Sequence, residues 1–396
     1  MNPLLDRLEP APTHQIRAGY RGHRELLDLS VGTPWYGPPE SFRTAMAELV
    51  AAGSGELRQH DEYAPPNGAA RLREAIVRHY QASYGLRLNT DQVLVTHGAT
   101  GAVFVAVLAA SGIGDEVLLP DPCYTLYEPI VTLLGRRPRR VPGDPHDGYR
   151  LDPATVARAV TSRTALLLLN SPVNPTGALY DWPRLAALAE VLAAAGVRLV
   201  HDEVLDCFTW HGPHVPAAAV AADGILMVNS LSKRLGVTGW RVGWLTGDPT
   251  VVAAAAQVHP LTSIAVNHAA QIAGAVAFTA PDHRQIVTDR AASIATAGRD
   301  FLRALGSVPG VRDDLDLPDG GVYAFVAIDG LARHLGLADT EGRTDVAVAH
   351  ALRDRCGIAV LPGSVFGAAG AGHVRVSLAA PASRLVAAAE RLMELR

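Results

Sequence analysis

Between residues 93 and 246 short β-rich runs alternate with helical stretches, and that alternation leaves few folds open to the chain. Residues 93–96, 116–120, 164–169, 197–201, 225–229 and 240–246 read as strands. The run 164–169, Thr-Ala-Leu-Leu-Leu-Leu, has no polar alternation, as expected of a strand covered on both faces. Strand and helix in turn predict a mostly parallel sheet layered with helices. Such sheets meet their ligands at the carboxyl ends of the strands. That is where small and polar residues gather here: His97-Gly98-Ala99-Thr100-Gly101, Asp121-Pro-Cys-Tyr124, Asn170-Ser-Pro-Val-Asn174-Pro-Thr-Gly177, Asp202-Glu203, and Ser230 to Lys233.

The last of these holds the only lysine in the chain, although lysine and arginine together number 35. A guanidinium stays protonated and forms no Schiff base, whereas an amine of lowered pKa attacks a carbonyl. The frame around Lys233 is Ser230-x-x-Lys233 followed by Gly239-Trp240-Arg241-x-Gly243. Together with Asn174-Pro-Thr-Gly177 and Tyr63-x-x-x-x-Gly68-x-x-x-Leu72-Arg73, it resembles the class I/II aminotransferases, fold-type I enzymes that use pyridoxal 5'-phosphate (PLP). The resemblance extends over nearly all of the chain beyond the N-terminal arm.

The resemblance implies an α/β fold of type I, with a mostly parallel seven-stranded sheet in a large domain and a smaller α+β domain. Residues 46–285 would form the PLP-binding domain, 286–396 the small domain, and 1–45 an arm contributing to the small domain. It further implies that Lys233 carries PLP as an internal aldimine and later moves the substrate's α-proton. Ser230 and Arg241 would bind the cofactor phosphate together with Ala99 and Thr100. Tyr124 would stack on the pyridine ring, Asp202 would pair with the ring nitrogen, and Asn174 would donate to the phenolic oxygen and help seat the substrate carboxylate. Arg375 would fork onto that carboxylate, and the loop with Trp35 and Tyr36 would close over the substrate. Tyr63 would reach the phosphate of the neighbouring subunit, which makes the enzyme a homodimer with active sites at the interface.

The residues themselves leave some alternatives open. A Gly-rich turn before a helix is either an anion cup or a tight connection. Arg375, between two valines on a strand, faces either the site or solvent. Trp35 and Tyr36 either pack their Gly- and Pro-rich loop or meet a ligand, and Tyr63 is either a structural tyrosine or a ligand of the phosphate. Tyr127 reads as structural. One position departs from the family pattern: the tyrosine usual three residues after the carboxylate of Asp202 is Leu205 here. That departure keeps open a PLP enzyme of another outcome, such as elimination, cyclisation, decarboxylation or oxidation.

Composition narrows the rest. A net charge of -4 with 19% charged residues gives no polyanion-binding signature, so no nucleic-acid partner is expected. Three cysteines without a CxxC pair form neither a disulfide framework nor a zinc site. His201-Asp202-Glu203 is no metal cluster, because consecutive strand residues point to alternate faces. With no apolar run near the ~18 residues of a membrane span and no basic leader, a cytoplasmic enzyme is expected. A PLP-binding regulator would need a DNA-binding domain, and the arm is too short for one with its own core. The expected activity is transfer of an amino group from an amino acid to a 2-oxo acid.

Overall fold

Seven strands of the computed structural model form one sheet, in the order Val93–His97, Val242–Gly247, Ile225–Ser230, Arg198–Asp202, Thr164–Asn170, Glu116–Asp121 and Arg137–Pro142. The strands of the chain are β1 (Leu27–Asp28), β2 (Val93–His97), β3 (Glu116–Asp121), β4 (Arg137–Pro142), β5 (Thr164–Asn170) and β6 (Arg198–Asp202), then β7 (Ile225–Ser230), β8 (Val242–Gly247), β9 (Tyr323–Ala327), β10 (Ile358–Ala359), β11 (Leu361–Pro362) and β12 (His373–Ser377). The structure describes residues 12–18, 20, 25–51, 61–221, 223–337 and 342–395, so the arm read at the start of the sequence lies partly outside it. In the large sheet β8 runs opposite to the other six strands.

Strand β5 shows why the sheet closes as it does. Its side chains alternate, so Leu167 and Leu169 enter one core and Leu166 and Leu168 the other. The first core is filled by the helices Glu40–Ala51, Ala70–Tyr84, Trp182–Ala194 and His268–Thr279, through Phe42, Leu72, Leu185 and Ala270 among others. The second is filled by Gly98–Ala110 and Pro249–Ser263. Strand β4, Arg-Pro-Arg-Arg-Val-Pro, has no apolar pattern to announce it. It occupies the edge, where missing N–H donors and solvated arginines are tolerated.

A third core joins β9, β11 and β12, which pair antiparallel, to the helices Thr344–Cys356 and Ala382–Met393 and to the long helix His283–Leu305. The N-terminal segment enters this unit as a strand, with β1 parallel to β10. Leu205 and Phe208, which follow β6 in the large sheet, are buried in this third core. Three helices follow β8 in the chain, Pro249–Ser263, His268–Thr279 and His283–Leu305; Asn267 caps the second by accepting from the Ala270 N–H at 2.8 Å. Among the described residues no helix is long and apolar enough to cross a membrane.

Candidate active site

The carboxyl ends of β3, β5, β6 and β7 share one edge of the sheet, with Asn170 opposite Asp202 and Asp202 opposite Val228 in register. Strand β2 runs the same way as β7, because both are antiparallel to β8. The turn after His97 therefore reaches the same edge, as does Arg241, which immediately precedes β8. A cavity of about 170 Å³ opens there. Ala99, Thr100, Tyr124, Asn174, Asp202, Ser230, Lys233 and Arg241 line it, together with Leu205, Tyr127 and Tyr323.

Lys233 lies in the four-residue helix Leu231–Arg234, whose N-cap is Ser230; the Ser230 Oγ accepts from the Ser232 N–H at 3.2 Å and keeps its own O–H free to donate. The Lys233 Nζ donates to the Gly32 carbonyl at 2.7 Å. Burial pushes its pKa below the ordinary lysine value; Tyr323 and Asp202 oppose the shift, and Arg375 and Arg241 add to it. The amine is thus easier to free of its proton than one in water.

Asp202 is buried, and both carboxylate oxygens are engaged: Oδ2 accepts from the Tyr127 hydroxyl at 2.9 Å and Oδ1 from the Val204 N–H at 3.1 Å. Burial lifts its pKa to about 6, against the pull of those two donors. Its neighbours His201 and Glu203 turn to the opposite face and pair with each other, Nδ1 to Oε1 at 2.9 Å. Period-two geometry thus separates Asp202 from the adjacent pair.

The helix Gly98–Ala110 begins at the edge with Ala99 and Thr100 in its first turn, where N–H groups lack intrahelical partners. Gly98 has φ +70°, and a Cβ there would lie 2.5 Å from Arg241 Nη2. Only glycine lets the guanidinium come so close to the start of the helix. Helix N–H groups and a cation side by side make an anion cradle.

Arg375 is buried, not solvated. Its Nη1 donates to Asn174 Oδ1 at 2.8 Å, its Nη2 to the Ser30 carbonyl, and its guanidinium lies 4.0 Å over the Tyr323 ring. It reaches Asn174 from β12 and so ties the third core to the cavity. Arg375 itself does not line the cavity, and neither do Trp35, Tyr36 and Tyr63. The Tyr36 ring is buried and its hydroxyl donates to the Lys233 carbonyl at 2.9 Å, bracing the lysine helix from behind. Trp35 is 48% exposed and Tyr63 78% exposed. A larger, open hollow of about 930 Å³ beside Asp206 and Arg234 contains none of the lysine-site groups.

Two residues at the edge escaped the reading of the sequence. Tyr127, which reads as structural in the sequence, donates its hydroxyl to Asp202; its spacing three residues beyond Tyr124 is the available signal. Tyr323 comes from another strand and another core, and no local pattern marks it.

Comparison with known proteins agrees with this geometry. The family model described as "Aminotransferase class I and II" matches residues 24–392. The chain is 31% identical over 370 residues to a probable aspartate/prephenate aminotransferase of Thermus aquaticus, covering 93% of this chain and 91% of that protein. It is 32% identical over 383 residues to an arginine–pyruvate transaminase of Pseudomonas aeruginosa, covering 93% and 89%. Among solved structures, the aspartate aminotransferase of Thermus thermophilus with maleate superposes with a TM-score of 0.89 at 30% identity, covering 100% of this chain and 99% of that one. A match of that extent and fold settles membership: this chain is a class I and II aminotransferase, of fold-type I and dependent on pyridoxal 5'-phosphate.

Proposed function

We propose that the enzyme moves the amino group of an amino acid to a 2-oxo acid with Lys233 as the residue that carries the cofactor and transfers the α-proton. The observation that carries this reading is the placing of the chain's one amine at the sheet edge, with the Asp202 carboxylate, Arg241 and Arg375 all acting on it. The residues suit PLP. Arg241 and the first turn of the helix Gly98–Ala110 form a cradle for a phosphate, kept open by the missing Cβ of Gly98. Asp202 is a buried carboxylate for a protonated ring nitrogen, and Lys233 is an amine for the aldehyde.

When bound, PLP supplies an electron sink for the charge left when the substrate's α-carbon loses its proton. Ser230, Arg241 and the N–H groups of Ala99 and Thr100 hold the phosphate. Asp202, steered by Tyr127, favours the positive form of the ring nitrogen. Asn174 keeps its side-chain N–H₂ for the phenolic oxygen, since its Oδ1 already accepts from Arg375. Tyr124, which lines the cavity, would cover the pyridine face and exclude water from it. Arg375 offers its fork to the α-carboxylate, and the Lys233 Nζ takes the α-proton as general base and returns it as general acid.

The residues 46–285 act in this reading as the cofactor domain, and 286–396 with the arm 1–45 as the small domain. The separate core of β9, β11 and β12, which takes in Leu27, Leu29 and Tyr36, supports that division up to the helix Glu40–Ala51, whose Phe42 and Ala45 pack in the first core instead. Tyr63, exposed at 78%, supports a homodimer in which its hydroxyl reaches the partner's phosphate. Three free cysteines suit a reducing cytoplasm.

The test is an absorbance titration of the PLP-loaded enzyme against a panel of amino acids that includes aspartate and arginine. One of them bleaches the cofactor band, and a 2-oxo acid restores it with release of a new amino acid. Product formed without that return would overturn transamination. A second expected outcome concerns Tyr127→Phe, which removes a donor from a charged acceptor, an interaction worth ~1.5–3 kcal/mol. PLP affinity, measured by fluorescence titration, falls about tenfold or more while the circular dichroism spectrum is unchanged.

A further inference from the structure

The helix that carries Lys233 has four residues, far fewer than the ~12–15 a helix needs to hold itself in water, so its direction is set by what its ends are tied to. One side chain ties both ends. Asp206, four residues past the end of β6, is buried, and its Oδ2 accepts from the Asn229 Nδ2 at 3.1 Å and from the Arg234 Nη2 at 2.7 Å. Asn229 immediately precedes Ser230, and Arg234 immediately follows Lys233. The Tyr84 hydroxyl, at the end of the helix Ala70–Tyr84, donates to the same oxygen at 3.1 Å.

Each link constrains a different cofactor group. An ionised carboxylate only accepts, so the Asn229 amide turns its N–H₂ toward Asp206 and its Oδ1 toward the Ser230 N–H, which it accepts at 2.7 Å. Arg234 is held by a charge-assisted bond, and side chains adjacent in a helix leave its axis about 100° apart, so fixing the guanidinium fixes the direction of Lys233. Lys233 lines the cavity, whereas Asp206 and Arg234 line the open hollow instead. Burial works against the charge on Asp206, but Arg234, with His214 and His79, outweighs it and holds the carboxyl below its ordinary pKa.

We propose that Asp206 is a positioning residue for the reaction: from outside the cavity its carboxylate clasps Asn229 and Arg234, and so aims the Lys233 amine and sets the Ser230 backbone that holds the phosphate. The proposal rests on the reading of Lys233 as the cofactor lysine and of Ser230 as a phosphate ligand.

The test must separate aim from stability. Removing one partner strands the other charge in the interior, so the first variant is Asp206→Asn with Arg234→Met, which neutralises the pair at similar volume; neutral replacement of a buried ion pair often leaves stability unchanged or raised. Its apoprotein is expected to melt at or above the parent's temperature. An asparagine both accepts and donates, so the Asn229 amide is free to turn and release the Ser230 N–H. In the holoenzyme the single-turnover rate with an amino acid falls about ten- to a hundredfold, the effect of misplacing a reacting group by up to ~1 Å. PLP affinity, measured by fluorescence titration, falls as well, and the visible circular dichroism per bound PLP, which reports the orientation of the ring, diminishes. Asn229→Leu is the second variant: it keeps the ion pair, releases only the Ser230 end, and lowers PLP affinity more than the single-turnover rate. Tyr84→Phe removes the third donor to the same carboxylate without touching either end of the lysine helix, and it keeps the parent's rate and PLP affinity.

A double variant with the parent's single-turnover rate and PLP affinity overturns the proposal, and so does an Asn229→Leu protein that binds PLP as the parent does. A loss in Tyr84→Phe equal to that of the double variant also overturns it, because Asp206 would then support the interior at large and not the lysine helix. The underlying reading fails separately: if borohydride reduction of the parent holoenzyme leaves Lys233 without the mass of PLP, Lys233 does not carry the cofactor, whatever the variants show.

Discussion

Lys233→Ala is expected to fold, to bind PLP without a covalent link, and to lose at least about 10,000-fold in transamination rate, ~5.5 kcal/mol of barrier. Two contributions vanish together. General acid–base transfer of the α-proton is worth ~10²–10⁴ on its own, and the covalent exchange that loads and releases the substrate amine is lost as well. No bystander can take over, because the chain has no other lysine. Lys233→Arg restores the charge and not the activity, since a guanidinium cannot form a Schiff base. A small primary amine added to Lys233→Ala recovers a fraction of the proton-transfer rate. The checks are steady-state rates and the absorbance of the loaded protein. Activity within tenfold of the parent would place the chemistry on another residue.

What the sequence showed of this enzyme depended on how local each signal was. Strand β5 was legible because a strand buried on both faces must be apolar throughout, and Asn174, Asp202 and Lys233 were legible because each lies at or just past the carboxyl end of a buried strand. Strand β4 was not, since an edge strand of three arginines and two prolines obeys no burial pattern. Arg375 was ambiguous in sequence, because alternate strand positions face opposite sides. Its burial against Tyr323 and Asn174 arises from the meeting of two units. Tyr36 shows the converse. A tyrosine in a Gly- and Pro-rich loop suggested a cover for the substrate, whereas its hydroxyl braces the lysine helix through a contact 197 residues away in the chain. Tyr323 and Gly32 are likewise joined only by the fold.

Asp202→Asn sets stability against activity, and both halves are measurable. On the reading of Asp202 as the partner of the ring nitrogen, removing the carboxylate takes away the charge that keeps that nitrogen protonated, a loss of ~3–5 kcal/mol. The rate of the amino-acid half-reaction accordingly falls about 10²–10⁴-fold. An amide also cannot accept at both atoms, so either the Tyr127 O–H or the Val204 N–H loses its acceptor; the hydroxyl can turn and accept from the new N–H₂, which keeps the structural cost near ~1 kcal/mol. In the apoprotein the sign reverses. Burial lifts the folded-state pKa of Asp202 to about 6, above that of an unfolded aspartate, so its ionisation opposes folding. The penalty is absent well below pH 4, grows from about pH 4 toward 6, and is complete above it, where it is worth on the order of 2–3 kcal/mol. The melting temperature of apo Asp202→Asn relative to the parent should therefore rise between pH 4 and pH 7 and stay raised at pH 8. PLP, by giving the carboxylate a positive partner, should then stabilise the parent more than the variant. A variant as fast as the parent, or one whose relative stability ignores pH, would show that Asp202 is not the charge on which the ring nitrogen depends.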